Sequence, residues 1–193
     1  MSTKLRVVVA EDEALIRLDL VEMLNESGYE VIGQAGDGLK AIELTENLNP
    51  DLVIMDIKMP KLDGISAAEK IASNRLCPVV ILTAFSQKDL VEKARDAGAM
   101  AYLTKPFSME ELMPSIELAV SRFQEIKQLD SEIKDLQEQL KARKSIDQAK
   151  ALLIKHLKLS EPEAFKWMQK TAMDKRRSML DVATLVIEEY KNR

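Results

Sequence analysis

The feature that most constrains this chain is an alternation in its first 120 residues: five short runs of branched apolar residues separated by segments with a helical period. LRVVVA (5–10), YEVIGQA (29–35), DLVIMD (51–56), PVVILT (78–83) and AMAYLT (99–104) are expected strands, and three of the five are almost wholly apolar. Strands that are apolar on both sides belong in a parallel sheet covered on both faces. Helical patterns fall near 13–26, 37–47, 64–74 and 87–97, three of them stopping close to Gly28, Pro50 and Gly98. Five strand–helix units of this length predict an open, doubly wound α/β sheet, with its ligand site beyond the carboxyl ends of the strands.

The period changes after that. Ser108, with Glu111 three residues on, reads as a helix start, and apolar residues then recur at Ile116, Ala119, Phe123, Ile126, Leu129, Ile133, Leu136 and Leu140. Spacings of 3 and 4, with no Gly or Pro between 120 and 144, predict one continuous helix with a coiled-coil seam, and so a homodimer; the alternative over only about three heptads is a monomeric helix packed on its own domain. A small all-α tail of three short helices is expected next. The first carries Ile146, Ala149, Leu153 and Leu157 and continues the long helix; the second follows the capping box Ser160–Glu163; the third follows Ser178 and carries Val182, Val186 and Tyr190. The expected divisions are 1–120, 121–144 and 145–193.

Charge follows the same divisions. Residues 1–120 hold 12 Lys/Arg against 20 Asp/Glu, net −8, while 121–144 are net +1 and 145–193 net +3. An acidic body with a mildly basic tail is compatible with nucleic acid binding at the tail, although +3 is weak support alone. With 46% hydrophobic residues the chain can bury a core without staples. Its single cysteine, Cys77, cannot close an internal disulfide, and MSTKLR leads into VVVA without a signal-peptide pattern, so a reducing cytoplasm is the expected location. No apolar run approaches the roughly 20 residues of a membrane span.

On a parallel sheet the strand ends converge. Glu11 and Asp12 follow strand one, Asp56 ends strand three, Thr83 ends strand four, and strand five leads to Lys105-Pro106. Crowded carboxylates repel, and a divalent cation with oxygen preference, Mg2+ first, would relieve that. Lys105 adds a compact positive charge. The chemistry implied is phosphoryl transfer onto a carboxylate: Asp56 attacks, the metal and Lys105 neutralise developing charge, and the Thr83 hydroxyl contacts one phosphoryl oxygen.

The motifs VVVAEDE, LVIMDIKMPKLDG, ILTA and AYLTKPF resemble the receiver domain of two-component response regulators, over nearly all of residues 4–120. The resemblance implies a five-stranded flavodoxin-like fold, Asp56 as phospho-acceptor, and a sensor histidine kinase as partner. It implies Mg2+ held by Asp12, Asp56 and the backbone carbonyl of Lys58, with Glu11 assisting through water, and a cis bond before Pro106. Tyr102 matches an aromatic switch that turns inward as Thr83 moves toward the phosphoryl group. Lys58 and Phe85 fall where the family tunes dephosphorylation. A self-dephosphorylating acceptor of this kind is a regulator, not an enzyme.

For the tail, a helical projection of 164–174 puts Ala164, Phe165, Met168 and Ala172 on one face, the expected core. Lys166 and Lys170 lie opposite, Arg177 would join them if the helix held that far, and Trp167 sits at the border. A cationic stripe edged by an aromatic suits single-stranded RNA, yet solvated lysines and a core-covering Trp explain it equally well. His156, the only histidine, lies among Lys155 and Lys158 and reads as a surface or interface residue. The stretch SIDQAKALLIKHLKLSEPEAFKWMQKTAMDKRRSMLDVA is similar to the ANTAR domain, a three-helix RNA-binding module of bacterial antitermination regulators. That similarity implies binding to paired hairpins in a leader transcript and action as a dimer. The candidate RNA contacts are Lys150, Lys166, Trp167, Lys170, Arg176 and Arg177. Two alternatives remain: a DNA-binding helix-turn-helix, against which MLDVATLVIEEY offers no basic or amide residue to read bases, and a protein-docking or dimerisation tail.

Overall fold

The computed structural model describes residues 4–84 and 88–191, in two compact units, Met1–Lys127 and Gln128–Arg193. The first unit alternates strand and helix as β1 (Arg6–Ala10), α1 (Ala14–Glu26), β2 (Glu30–Ala35), α2 (Gly38–Leu48), β3 (Leu52–Asp56), α3 (Gly64–Ser73), β4 (Val79–Thr83), α4 (Lys88–Asp96) and β5 (Ala101–Thr104), followed by the start of α5 (Met109–Leu157). The five strands form one parallel sheet in the order β2-β1-β3-β4-β5. The order reverses next to β1, so the loops after β1 and β3 leave in opposite directions and open a crevice at their carboxyl ends.

The apolar runs explain both faces. In β3 and β4 every residue is buried. Val8, Val53, Met55, Val79 and Ile81 point to one side, against Ala41 of α2, Ala67 and Ile71 of α3 and Ala94 of α4. Val7, Val9, Leu52, Ile54, Val80 and Leu82 point to the other, against Leu20 and Leu24 of α1 and Leu112, Ile116 and Ala119 of α5. Each such side chain contributes about 1.5–3 kcal/mol by leaving water. The helices stop where expected: Gly28 and Gly98 take φ of 91° and 86°, and Asn49, in the left-handed region at 47°, closes α2.

In the second unit the rest of α5 meets α6 (Glu161–Lys175) and α7 (Met179–Lys191). Ala149 and Leu153 of α5, Ala164, Met168 and Ala172 of α6, and Val182, Ala183 and Val186 of α7 form its core. Each start is fixed locally: the Glu163 carboxylate accepts the Ser160 N–H at 2.8 Å, and that of Asp181 accepts the Ser178 N–H at 3.0 Å. His156 stacks on Tyr190 with ring centroids 4.7 Å apart, tying the end of α5 to α7. Leu129, Ile133, Leu136 and Leu140 of the expected seam are 51–59% exposed.

One core residue is corrected. Phe165, expected on the buried face of α6, is 45% exposed. Two of the three buried positions on that face are alanines, Ala164 and Ala172, so the helix sits close on a narrow stripe centred on Met168. Phe165 falls about 60° from Met168 on the helical wheel and is left at the edge. Met168→Ala or Ile116→Ala should therefore cost about 2–4 kcal/mol in urea unfolding, whereas Phe165→Ala should cost less than about 1.5 kcal/mol.

Candidate functional site

Four consecutive strands of the sheet and the loops beyond them place polar side chains at one end. Glu11 and Asp12 follow β1, Asp56 ends β3, Thr83 ends β4 and Lys105 follows β5. The register pairs Asp56 with Leu82 and Thr83 with Thr104, so these ends stand level. One carboxylate oxygen each from Glu11, Asp12 and Asp56 lies within 4.8 Å of the others. Glu11, Asp56 and Thr83 are buried and Asp12 is exposed.

Lys105 binds the cluster together. Its Nζ donates to Glu11 Oε2 and lies 3.0 Å from Asp56 Oδ1, with the side chain only 16% exposed. Burial opposes the ammonium, but the bonds to Glu11 and Asp56 outweigh it and hold the Lys105 pKa above the ordinary lysine value. For Glu11, burial is the largest influence and raises the carboxyl pKa above its ordinary value against the pull of Lys105. The backbone completes the frame: the Lys58 N–H donates to Asp56 Oδ2 at 3.0 Å, and the Glu13 N–H donates to Glu11 Oε1 at 3.3 Å. The bond between Lys105 and Pro106 is cis.

Every donor in this cluster is an oxygen, the set a hard divalent cation prefers. Glu11, Asp12 and Asp56 together form an acidic group of the kind that could hold Mg2+. The site opens into a cleft of about 750 Å³ whose walls include Ile16, Leu20, Met23, Leu90 and Phe107. Arg17 was not legible in the sequence: its Nη1 donates to the Glu11 carbonyl, bracing the turn after β1. Its only signal was a lone basic residue on the first turns of α1. Tyr102 stands on β5, 50% exposed, in register with Ile81. Phe85 lies outside the described residues.

The second unit separates its candidate residues. Lys166, Lys170 and Trp167 are exposed on α6, Trp167 at 41%. The helix ends at Lys175 and Arg176 caps it with φ of 49°, so Arg177 lies past the stripe instead of continuing it. Lys150 is drawn inward: its Nζ lies 2.9 Å from Asp147 and 3.1 Å from Glu161, with 18% of the side chain exposed.

Asp12 is a carboxylate beside two others and has no part in the Lys105 bonds. In metal-free buffer Asp12→Asn should relieve repulsion and raise the melting midpoint of the first unit by roughly 2–4 °C, measured by calorimetry with a chelator present.

Comparison with known proteins agrees with this geometry. Residues 7–117 match the response regulator receiver domain and residues 134–187 the ANTAR domain. The transcriptional regulatory protein PdtaR of Mycobacterium tuberculosis is 61% identical over 183 residues, covering 95% of this chain and 89% of that one. Among solved structures, the response regulator domain of Thermotoga maritima CheB superposes with a TM-score of 0.57 at 30% identity, over 62% of this chain and 98% of that one. The CheX–CheY–BeF3–Mg2+ complex from Borrelia burgdorferi gives 0.55 at 25% identity, over 58% of this chain and 86% of that one. An acidic site at the edge of a receiver sheet, followed by an ANTAR module, makes this chain a member of the two-component response regulators of the ANTAR type.

Proposed function

We propose that a sensor histidine kinase phosphorylates this regulator on Asp56, and that the phosphorylated form binds leader-transcript hairpins and prevents a terminator from assembling. The observation that carries the first half is the cluster of Glu11, Asp12 and Asp56 held by Lys105. Residues 1–120 are the phospho-accepting part, 121–144 the linker and 145–193 the RNA-binding part.

The roles follow from placement. An Asp56 carboxylate oxygen forms the new O–P bond as the N–P bond of a phosphohistidine breaks, and the electron pair of that bond stays on the imidazole nitrogen. Asp12, Asp56 and the Lys58 carbonyl would hold Mg2+, which would supply charge neutralisation for the transferring group, and a receiver-like CheY was solved with Mg2+ and BeF3. Lys105 reorients from Asp56 to a phosphoryl oxygen while keeping Glu11 as its counter-ion. Thr83, at the end of β4, offers its hydroxyl to a second oxygen, and the outward Tyr102 turns in behind it. The chain accepts and slowly loses one phosphoryl group and turns over no substrate. Asp56→Asn should abolish labelling by a small phosphodonor in Mg2+; undiminished acid-labile label on another residue would sink the assignment.

For the output, the ANTAR match and the PdtaR relationship support RNA, with Lys166 and Lys170 on phosphates and Trp167 against a base. Arg176 and Arg177 extend the cationic surface beyond the helix end. Lys150, engaged by Asp147 and Glu161, contributes as a contact only after exchanging one of them. The seam supports a dimer: with Ile126, Ile133 and Leu140 at one heptad position and Leu129 and Leu136 at the other, β-branched residues at two of the three a positions and leucine at d favour two parallel strands. Helix α7 carries no basic or amide side chain between Met179 and Tyr190, which disfavours duplex DNA. Across a salt series, Lys166→Ala and Lys170→Ala should each weaken hairpin RNA binding and flatten its salt slope by roughly one, without loss of helix content. Leu136→Asp should give a monomer in sedimentation that binds paired hairpins more weakly. Preference for duplex DNA, or RNA binding indifferent to salt, overturns the output assignment.

A further inference from the structure

Five polar or charged residues are buried among the described residues: Glu11, Asp37, Thr45, Asp56 and Thr83. Three belong to the site, and the Thr45 hydroxyl donates to the Ala41 carbonyl within its own helix. Asp37 remains, a carboxylate with a 12% exposed side chain at the start of α2, outside the phosphorylation chemistry.

Asp37 uses both oxygens. Oδ1 accepts the Lys40 N–H at 2.8 Å, capping α2, and Oδ2 accepts from Lys61 Nζ at 2.7 Å, across 24 residues of sequence. Lys61 lies in the loop between β3 and α3 with a φ of 63°, a conformation costly for a side chain of this kind and held only if the surroundings fix it. A backbone bond lies alongside: the Gly38 N–H donates to the Leu62 carbonyl at 3.1 Å, and a Cβ on Gly38 would come within 2.4 Å of that oxygen. The other end of the loop is equally fixed, with the Gly64 N–H on the Ile57 carbonyl at 2.8 Å and no room for a Cβ on Gly64 beside the Asp56 carbonyl. Between these two clamps stands Lys58, whose N–H already bonds Asp56 Oδ2.

We infer that Asp37 and Lys61 form a clasp that positions the Lys58 carbonyl for a divalent cation, so that an ion pair on the far side of the loop sets the Mg2+ affinity of the phosphorylation site. The inference rests on the reading of the acidic cluster as a Mg2+ site. Both are positioning residues, since neither reaches the cation. Lys61 is 66% exposed along its side chain, which limits the pair's own strength. Exposed pairs of this kind shift equilibria by up to about fivefold.

The test uses the full chain with Asp37→Asn, which keeps a good cap but loses the ion pair, Lys61→Met, the double variant, and Lys61→Arg. Mg2+ is titrated against the amide resonance of Lys58, exchange is followed at the Gly38 amide, and labelling by a small phosphodonor is measured as a function of Mg2+. Each single variant should raise the Mg2+ Kd about threefold to fivefold, the double variant no further, and Lys61→Arg should return it to within about twofold of the parent. Gly38 exchange should quicken, and the labelling rate at saturating Mg2+ should change by less than about twofold, a KM effect without a kcat effect. Unchanged Kd in both single variants, or losses that multiply in the double variant, overturn the clasp. A parent chain whose Lys58 resonance ignores Mg2+, with Asp12→Asn equally silent, overturns the metal reading beneath it and the clasp with it.

Discussion

The first unit depends on an electrostatic conflict held in place by hydrophobic burial. A sheet whose central strands are entirely buried forces the residues after β1, β3 and β4 to one edge, and there the sequence places Glu11, Asp12 and Asp56. Taking two of those carboxylates out of water is unfavourable without a partner. Lys105 supplies it from beyond the end of β5, bonded to both buried acids at once. The apolar packing on both faces of the sheet is what keeps that arrangement from relaxing.

That conflict also accounts for the direction of the Glu11 and Lys105 shifts. Burial raises the Glu11 carboxyl pKa, so its folded form resists ionisation and contributes stability only at low pH, losing it as pH rises through the carboxyl range. The Lys105 pKa lies above its ordinary value, so its contribution is present across the neutral range and lost only in strong alkali. At neutral pH the two oppose one another, the pattern expected where function is kept at some expense of stability.

How much of this was legible in the sequence varies with the kind of evidence. The strands and the meeting of Glu11, Asp12, Asp56 and Lys105 were, because β-branched runs and strand-end polar residues are local signals and a parallel sheet assembles them by rule. Phe165 was misplaced because a helical projection gives angles but not the width of the contact, which depends on how closely alanines let the helix approach. Arg17 and the Asp37–Lys61 pair were not legible, since each joins segments through loop geometry that no period records. Lys150, a candidate RNA contact by sequence, is engaged by Asp147 and Glu161, one from its own helix and one from the next, and no helical period records the second.

Helix α5 carries two stripes with different obligations: the exposed seam ending at Leu140, and the packed face of Ala149 and Leu153 that begins the second unit's core. Each residue of a helix advances about 1.5 Å and turns about 100°. One residue inserted between Leu140 and Ala149 would swing the packed face by that angle relative to the seam. Two inserted residues would carry it almost to the opposite side. Steps of seven return the face to within about 20° and keep the heptad phase. The length of this connection is thus quantised, and insertions and deletions that leave such a regulator working should fall in sevens there, while the loops of the first unit are free of that arithmetic.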